Sequence, residues 1–293
     1  MKFKAALPLF ITSAIWGFAF VAQRVGMEHL GPFTFNGIRF ALGSLSLLPL
    51  ILYFNHFPLN EKQPTQEPLK VSWVGLLAGL IIFLAASLQQ IGIIYTTAGK
   101  AAFITCMYIV LVPVAGIFLK HRISLFTWSG CIVTTIGLYF LCVKESFTIS
   151  YGDLLELIGA LFWTLHILLI DHVSRRVDVL KLASLQFATC SILSLCVAFF
   201  LESFEWESIV KAAIPILYGG ICSAGIAYTL QIVGQRNTSP ALASIILSME
   251  TVFAAFGGYL ILDEQLGLRE IFGAGLMLTG MLLAQIQSQH TVK

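Results

Sequence analysis

Of the ionisable side chains inside long apolar stretches of this chain, the clearest are Arg39 in FTFNGIRFALGS and Glu250 in SIILSMETVFAAF. A charge within a membrane-spanning helix is costly, so it faces protein or water and marks a functional site or a structural tie. Glu250 lies about nine residues into its stretch, and at about 1.5 Å per residue that is roughly 13 Å deep, near the middle of a bilayer. A carboxyl there can carry a proton or hold a substrate ammonium, or it can form an ion pair with Arg39. Arg39, about six residues into its own stretch, suits a carboxylate held by two parallel hydrogen bonds. It can equally brace two helices or snorkel toward the head groups.

Around these two residues, polar and aromatic groups recur at matched positions. Gln89 and Gln231 are 142 residues apart, as are Gly92 and Gly234, Met107 and Met249, and Arg122 and Glu264. Trp16 and Trp163 are 147 apart, as are Phe40 and Phe187. Gly130 and Gly137 match Gly273 and Gly280 at an offset of 143. The order and near-constant spacing indicate an internal duplication, which in membrane chains points to a transporter. The mirrored amides Gln89 and Gln231, with Gln90 beside the first, can read a polar head group or simply tie helix to helix. Trp16 and Trp163, away from the interfacial belts, can clamp an apolar or cationic substrate, with core packing as the plainer alternative. His166 is one turn beyond Trp163, on the same face. Tyr108 matches Glu250 at the 142 offset, and Tyr228 precedes Gln231 by one turn. The candidate substrate-binding set is therefore Trp16, Arg39, Gln89, Tyr108, Trp163, His166, Tyr228, Gln231 and Glu250, with Glu250 as the candidate proton carrier.

The elements that must position these residues are membrane helices. Of 293 residues, 58% are hydrophobic and only 11% charged, far below the quarter or so of charged residues in soluble domains. The net charge of +2 and the lack of a basic block exclude a nucleic-acid partner. Six cysteines, all in apolar runs, have neither metal-ligand nor disulfide spacing, and no cofactor is expected. The four aspartates lie at helix ends, and no HExxH, GxSxG or Walker pattern occurs, so the chain does not read as an enzyme. The first twenty residues resemble a signal peptide, with a possible cleavage site at Ala19. The Trp16/Trp163 match instead makes them the first helix of a repeat.

Ten segments reach the roughly 20 apolar residues that a span needs: 5–23, 33–54, 71–95, 101–119, 124–142, 151–172, 179–201, 209–234, 241–262 and 269–287. A proline-bearing polar loop over 55–70 is the longest connection. With the N-terminus in the cytoplasm, that side holds Lys2, Lys4, Lys62, Lys70, Lys120, Arg122, Arg175, Arg176, Lys181, Arg236 and Lys293. The other side holds Arg24, Lys100, Lys144, Lys211 and Arg269. The bias puts both termini inside. Five helices per repeat is an odd number, so the second half enters from the opposite face. The expectation is an all-α integral membrane protein of ten transmembrane helices, in two inverted five-helix repeats at 1–144 and 145–293. A Gly75-x-x-x-Gly79 motif permits close helix packing, between subunits of a homodimer or within a monomer.

Trp16-Gly17, Pro32, Arg39-Phe40, Leu111-Val112-Pro113, and the run METVFAAFGGYLILDEQLG from Met249 to Gly267 followed by Gly273 and Gly280 resemble the EamA family of the drug/metabolite transporter superfamily. The resemblance spans residues 5 to 287. It implies a multi-pass protein of the plasma (bacterial inner) membrane, cytoplasmic termini and a central cavity between the halves. It also implies secondary transport of a small polar or zwitterionic metabolite, often amino-acid export; proton-coupled efflux of hydrophobic cations is the alternative. Two positions depart from the family pattern. Thr251 follows Glu250 where proline is usual, and His121-Arg122 stand where Gly-Glu often closes the fourth helix.

Overall fold

A computed structural model describes residues 3–56, 69–96, 98–121, 123–142, 150–203, 205–262 and 267–286. Every regular element among them is helical. Eight segments are long and apolar enough to cross a membrane. They are Ala6–Gly26, Pro32–His56, Val71–Gly92, Ala98–Phe118, Tyr151–Val173, Val179–Leu201, Ala213–Gln235 and Pro240–Ile261, and Leu125–Leu141 is a shorter apolar helix. Large apolar side chains face outward all round, Phe118, Leu125, Phe200 and Leu268 each more than 80% exposed. In water this surface would be untenable, whereas lipid tails solvate it. The loop of 57–68, Arg122 and Glu264 lie outside the described residues.

The helices are α1 (Phe3–Gly26), α2 (Pro32–His56), α3 (Val71–Gly92), α4 (Ala98–Thr105), α5 (Tyr108–Phe118), α6 (Leu125–Cys142), α7 (Tyr151–Val173) and α8 (Val179–Leu201). Two short helices follow, α9 (Trp206–Lys211) and α10 (Ala213–Leu217), then a π-helical stretch over Tyr218–Tyr228 and α11 (Thr229–Gln235). The chain closes with α12 (Pro240–Leu247), α13 (Glu250–Ile261) and α14 (Leu268–Ile286).

Three stretches expected to be single helices are interrupted: 209–234 begins in α9, turns at Ala212 and passes through the π-helical stretch, and two others are broken alike. The segment 101–119 divides into α4 and α5, and 241–262 into α12 and α13. Both breaks tighten in the same way. Met107 N–H donates to the Ile104 carbonyl and Met249 N–H to that of Ile246, three residues back rather than four. Ile109 and Val110 repeat this toward Cys106 and Met107, as Thr251 and Val252 do toward Ser248 and Met249. A turn of 3₁₀ geometry inside a helix often marks a hinge or site. Pro113, inside α5, cannot donate to the Ile109 carbonyl, and the Cys131 thiol occupies that oxygen at 3.2 Å. The helix ends with Lys120 at φ 59° and His121 N–H returning to the Gly116 carbonyl, a left-handed terminator.

Packing between the halves is reciprocal. Gly130 would direct a Cβ at the Gly280 carbonyl and Gly280 one at that of Gly130; Gly137 and Gly273 meet the same way, so α6 and α14 run antiparallel in backbone contact. In the antiparallel pair α2–α8, Ser191 Oγ donates to the Gly37 carbonyl at 2.8 Å and Ser44 Oγ to the Ser184 carbonyl at 2.9 Å. Phe40 and Phe187, the matched phenylalanines, stack with centroids 6.0 Å apart. The Gly75/Gly79 motif is used within the chain, Gly75 against Leu185 and Gly79 against Thr189 and the Gln186 backbone, all on α8. This corrects the option of a subunit contact for it: the small residues admit a neighbouring helix of the same bundle.

Candidate functional site

The two helix breaks meet near the centre of the bundle. Tyr108, first residue of α5, donates its hydroxyl to Oε1 of Glu250, first residue of α13, at 2.8 Å. Cys106 Sγ lies 2.8 Å from Thr251 Oγ1 and 3.4 Å from Glu250 Oε1. Thr251, where proline was expected, thus spends its hydroxyl on the opposite break. Glu250 is 3% exposed and begins α13 directly after the break.

Arg39 is equally buried. Its Nε donates to Asn36 Oδ1 at 2.9 Å, and Asn36 is itself fixed by donating to the Ala86 carbonyl of α3. The guanidinium carbon lies 4.7 Å from the Phe40 ring centroid and 5.6 Å from that of Phe35, in cation–π contact. The close approach of Gly219 beside the Arg39 Cδ gives the side chain its room. No carboxylate comes within 4 Å of Arg39 among the described residues, so the Arg39–Glu250 ion pair weighed from sequence is absent there.

A cavity of about 480 Å³, mouth included, joins these groups. Its wall contains Trp16, Arg39, Gln89, Tyr108, Trp163, Tyr228, Gln231 and Glu250, eight of the nine candidates. His166 is the exception. It is fully buried, its Nε2 lies 3.3 Å from Gln186 Oε1, and its ring stands edge-on behind Trp163 and Tyr228. One turn beyond Trp163 shares the helix face but reaches past the chamber wall.

Tyr228 is the hub of the aromatic lining, with centroids of Trp16, Phe187 and Trp163 at 4.6, 5.5 and 6.1 Å. It ends the π-helical stretch, whose wider turns are pinned from α1: Thr12 Oγ1 donates to the Ala227 carbonyl and Trp16 Nε1 to that of Ser223. On the facing wall Trp163 Nε1 donates to Gln89 Oε1 at 2.9 Å, and Gln89 Nε2 donates to Gln23 Oε1 at 3.1 Å. Gln231, the matched amide, is 1% exposed, and its Oε1 has no hydrogen-bond partner among the described residues. Gln90 is turned away from the cavity, donating to the Gln23 carbonyl.

Four further polar or aromatic wall residues, Phe20, Gln23, Thr105 and Ser223, carried no signal in the sequence. Gln23, next to Arg24, reads as the polar end of the first span, whereas α1 continues to Gly26. Thr105 and Ser223 are small hydroxyls that any helix tolerates through a bond to its own backbone. Among the described residues no cluster of three His, Cys, Asp or Glu side chains could hold a metal.

An all-helical bundle with a lipid-ready surface and a polar chamber between broken helices defines a membrane transporter scaffold. The model of the EamA-like transporter family matches the chain twice, at residues 3–143 and 150–285, and the chain belongs to that family. It is a multi-pass membrane transporter rather than an enzyme. An uncharacterized transporter of Archaeoglobus fulgidus is 30% identical, with 97% of this chain and 86% of the relative aligned. YoaV, an uncharacterized transporter of Bacillus subtilis, is 25% identical over 96% of both chains. YedA of Escherichia coli, named an uncharacterized inner membrane transporter, is 23% identical over 98% of this chain and 93% of its own. A protein of known crystal structure shares the fold at a TM-score of 0.79 over 97% of this chain and 98% of its own, with 16% identity.

Proposed function

We propose that this chain is a secondary transporter, acting as an exporter, of a small zwitterionic metabolite such as an amino acid. It lies in the plasma (bacterial inner) membrane with both termini cytoplasmic. The observation that carries the reading is a chamber holding a buried cation and a buried carboxyl that are not paired with each other. Arg39 has no carboxylate partner among the described residues, and Glu250 takes its hydrogen bonds from neutral groups. A buried charge without a partner is costly, and a zwitterion would satisfy both at once. Its carboxylate would meet Arg39, and its ammonium Glu250 and the open Gln231 oxygen. Trp16, Trp163 and Tyr228 would enclose its side chain.

Ten spans, in two five-helix repeats of opposite orientation at 1–144 and 145–293, suit the same role. Support comes from the matched hydrogen bonds at the two breaks, the reciprocal glycines of α6 and α14 and the paired serines of α2 and α8. Such a bundle rocks about a fixed central site.

The alternative, proton-coupled efflux of hydrophobic cations, draws on the aromatic cluster beside Glu250, but it leaves Arg39 without an anion. Counterflow in proteoliposomes, with a pooled panel of labelled metabolites, decides between them. The zwitterion reading requires exchange of at least one amino acid, lowered about tenfold or more by Arg39→Ala. Exchange confined to lipophilic cations and unaffected by Arg39→Ala would overturn it.

A further inference from the structure

Glu156 is a second buried carboxyl, outside the chamber, that the transport reading does not use. It is 0% exposed and stands less than two turns into α7. Its Oε2 accepts from Thr105 Oγ1 at 3.0 Å, and its Oε1 is buried with no hydrogen-bond partner among the described residues. No basic side chain comes within 4 Å of it among those residues. Gly92 faces the free oxygen; a Cβ there would lie 2.9 Å from Oε1.

The placement is informative. One turn earlier on α7, Asp153 holds Lys100 Nζ at 2.6 Å and accepts from Thr96 Oγ1, near the bundle end where α4 and α7 begin. One hydroxyl further in, Thr105 belongs to the chamber wall with Tyr108 and Glu250. Of the helices packed on α7, α4 brings Lys100 and Thr105, and α5 begins at Tyr108. The end of α3 brings Gly92 and then Tyr95, while α11 and α12 carry no titratable side chain. Glu156 therefore stands between a rim ion pair and the chamber, with no fixed cation of its own.

We infer that Glu156 is a proton-carrying site, lying on the route by which protons pass between the Lys100–Asp153 end of the bundle and the chamber. A buried carboxylate with no cation is unfavourable, and a bound proton removes that charge. Each step moves one proton net. A proton from the rim protonates Glu156; the Thr105 hydroxyl then turns from donor to acceptor, takes that proton on its oxygen and releases its own to water in the chamber, so that one proton enters and one leaves. The inference rests on the transport reading only for its coupling role; the proton site itself is testable without substrate.

The test uses the full chain in lipid, with Glu156→Gln and Glu156→Asp. Without substrate, infrared difference spectra between wild type and Glu156→Gln should show one acid carbonyl band assigned to this residue. The absence of that band at every pH overturns the proposal, whatever the protein transports. In proteoliposomes given the labelled L-amino-acid pool, Glu156→Gln should lower pH-gradient-driven accumulation at least tenfold with counterflow within twofold of wild type. Glu156→Asp should restore part of the accumulation. Accumulation unchanged in Glu156→Gln, or both modes lost in both variants, overturns the coupling role and makes Glu156 a structural tie. If wild type exchanges no amino acid, the transport reading fails instead, and the infrared band still decides the proton site.

Discussion

Arg39 and Glu250 set the terms at the scale of single residues. A guanidinium fixed by Asn36 and flanked by Phe40 has its terminal nitrogens left to meet an anion. Arg39→Ala should therefore weaken amino-acid binding by about tenfold or more, the equivalent of about 1.4 kcal/mol. Arg39→Lys should recover only part, since an ammonium cannot make the two-pronged contact. Quenching of tryptophan fluorescence is the natural readout, because Trp16 and Trp163 both line the chamber. Glu250→Gln should depress amino-acid exchange and pH-driven flux together, because the carboxylate meets the substrate ammonium, and proteoliposome assays in the two modes check this. Exchange spared while pH-driven flux is lost would make Glu250 a proton carrier and not the ammonium partner. Charged and large aromatic side chains within apolar runs were legible from the sequence because hydrocarbon makes them conspicuous. Gln23, Thr105 and Glu156 were not, since a polar residue near a predicted span end looks like the interface until the true length and packing of the helix are known.

Helices supply the second scale, and here the sequence showed where spans run but not how they break. Neither Cys106-Met107 nor Ser248-Met249 contains a glycine or proline, so nothing local announces the 3₁₀ turns that bring Tyr108 to Glu250. The π-helical stretch before Tyr228 was equally silent, since it depends on hydrogen bonds from α1 that no local pattern encodes. The glycine correspondence was visible as an offset, but its meaning lies in contact: each glycine lets α6 and α14 touch through backbone. A Cβ at Gly137 would sit 2.7 Å from the Gly273 carbonyl, which cannot yield as a side chain could, whereas nothing lies within 4 Å of the same position at Gly275. Gly137→Ala should cost about 1–3 kcal/mol and lower the melting temperature in detergent. Gly275→Ala should leave it unchanged or slightly raised. Equal melting of the two variants would mean that the α6–α14 contact does not hold the halves together.

For the whole molecule, the proposal of alternating spans with cytoplasmic termini makes a sidedness prediction. Ser203, after α8, and Asn237, after α11, should lie on opposite faces of the membrane. A cysteine at Ser203 should react with an impermeant maleimide from outside intact cells, and one at Asn237 only after permeabilisation. That topology is an expectation drawn from span alternation and basic-residue bias, because bilayer thickness and charge act on sequence directly. The substrate was not readable, because it depends on which buried charges find partners inside the protein and which remain for a ligand. That distinction leads to the decisive measurement, counterflow with three matched compounds. These are an amino acid exchanged by the wild type, its decarboxylated amine and its deaminated acid. The account predicts exchange of the zwitterion and at least tenfold less of either half-charged analogue. Exchange of the amine as fast as the amino acid would contradict the pairing of Arg39 with a substrate carboxylate, and with it the zwitterion chamber.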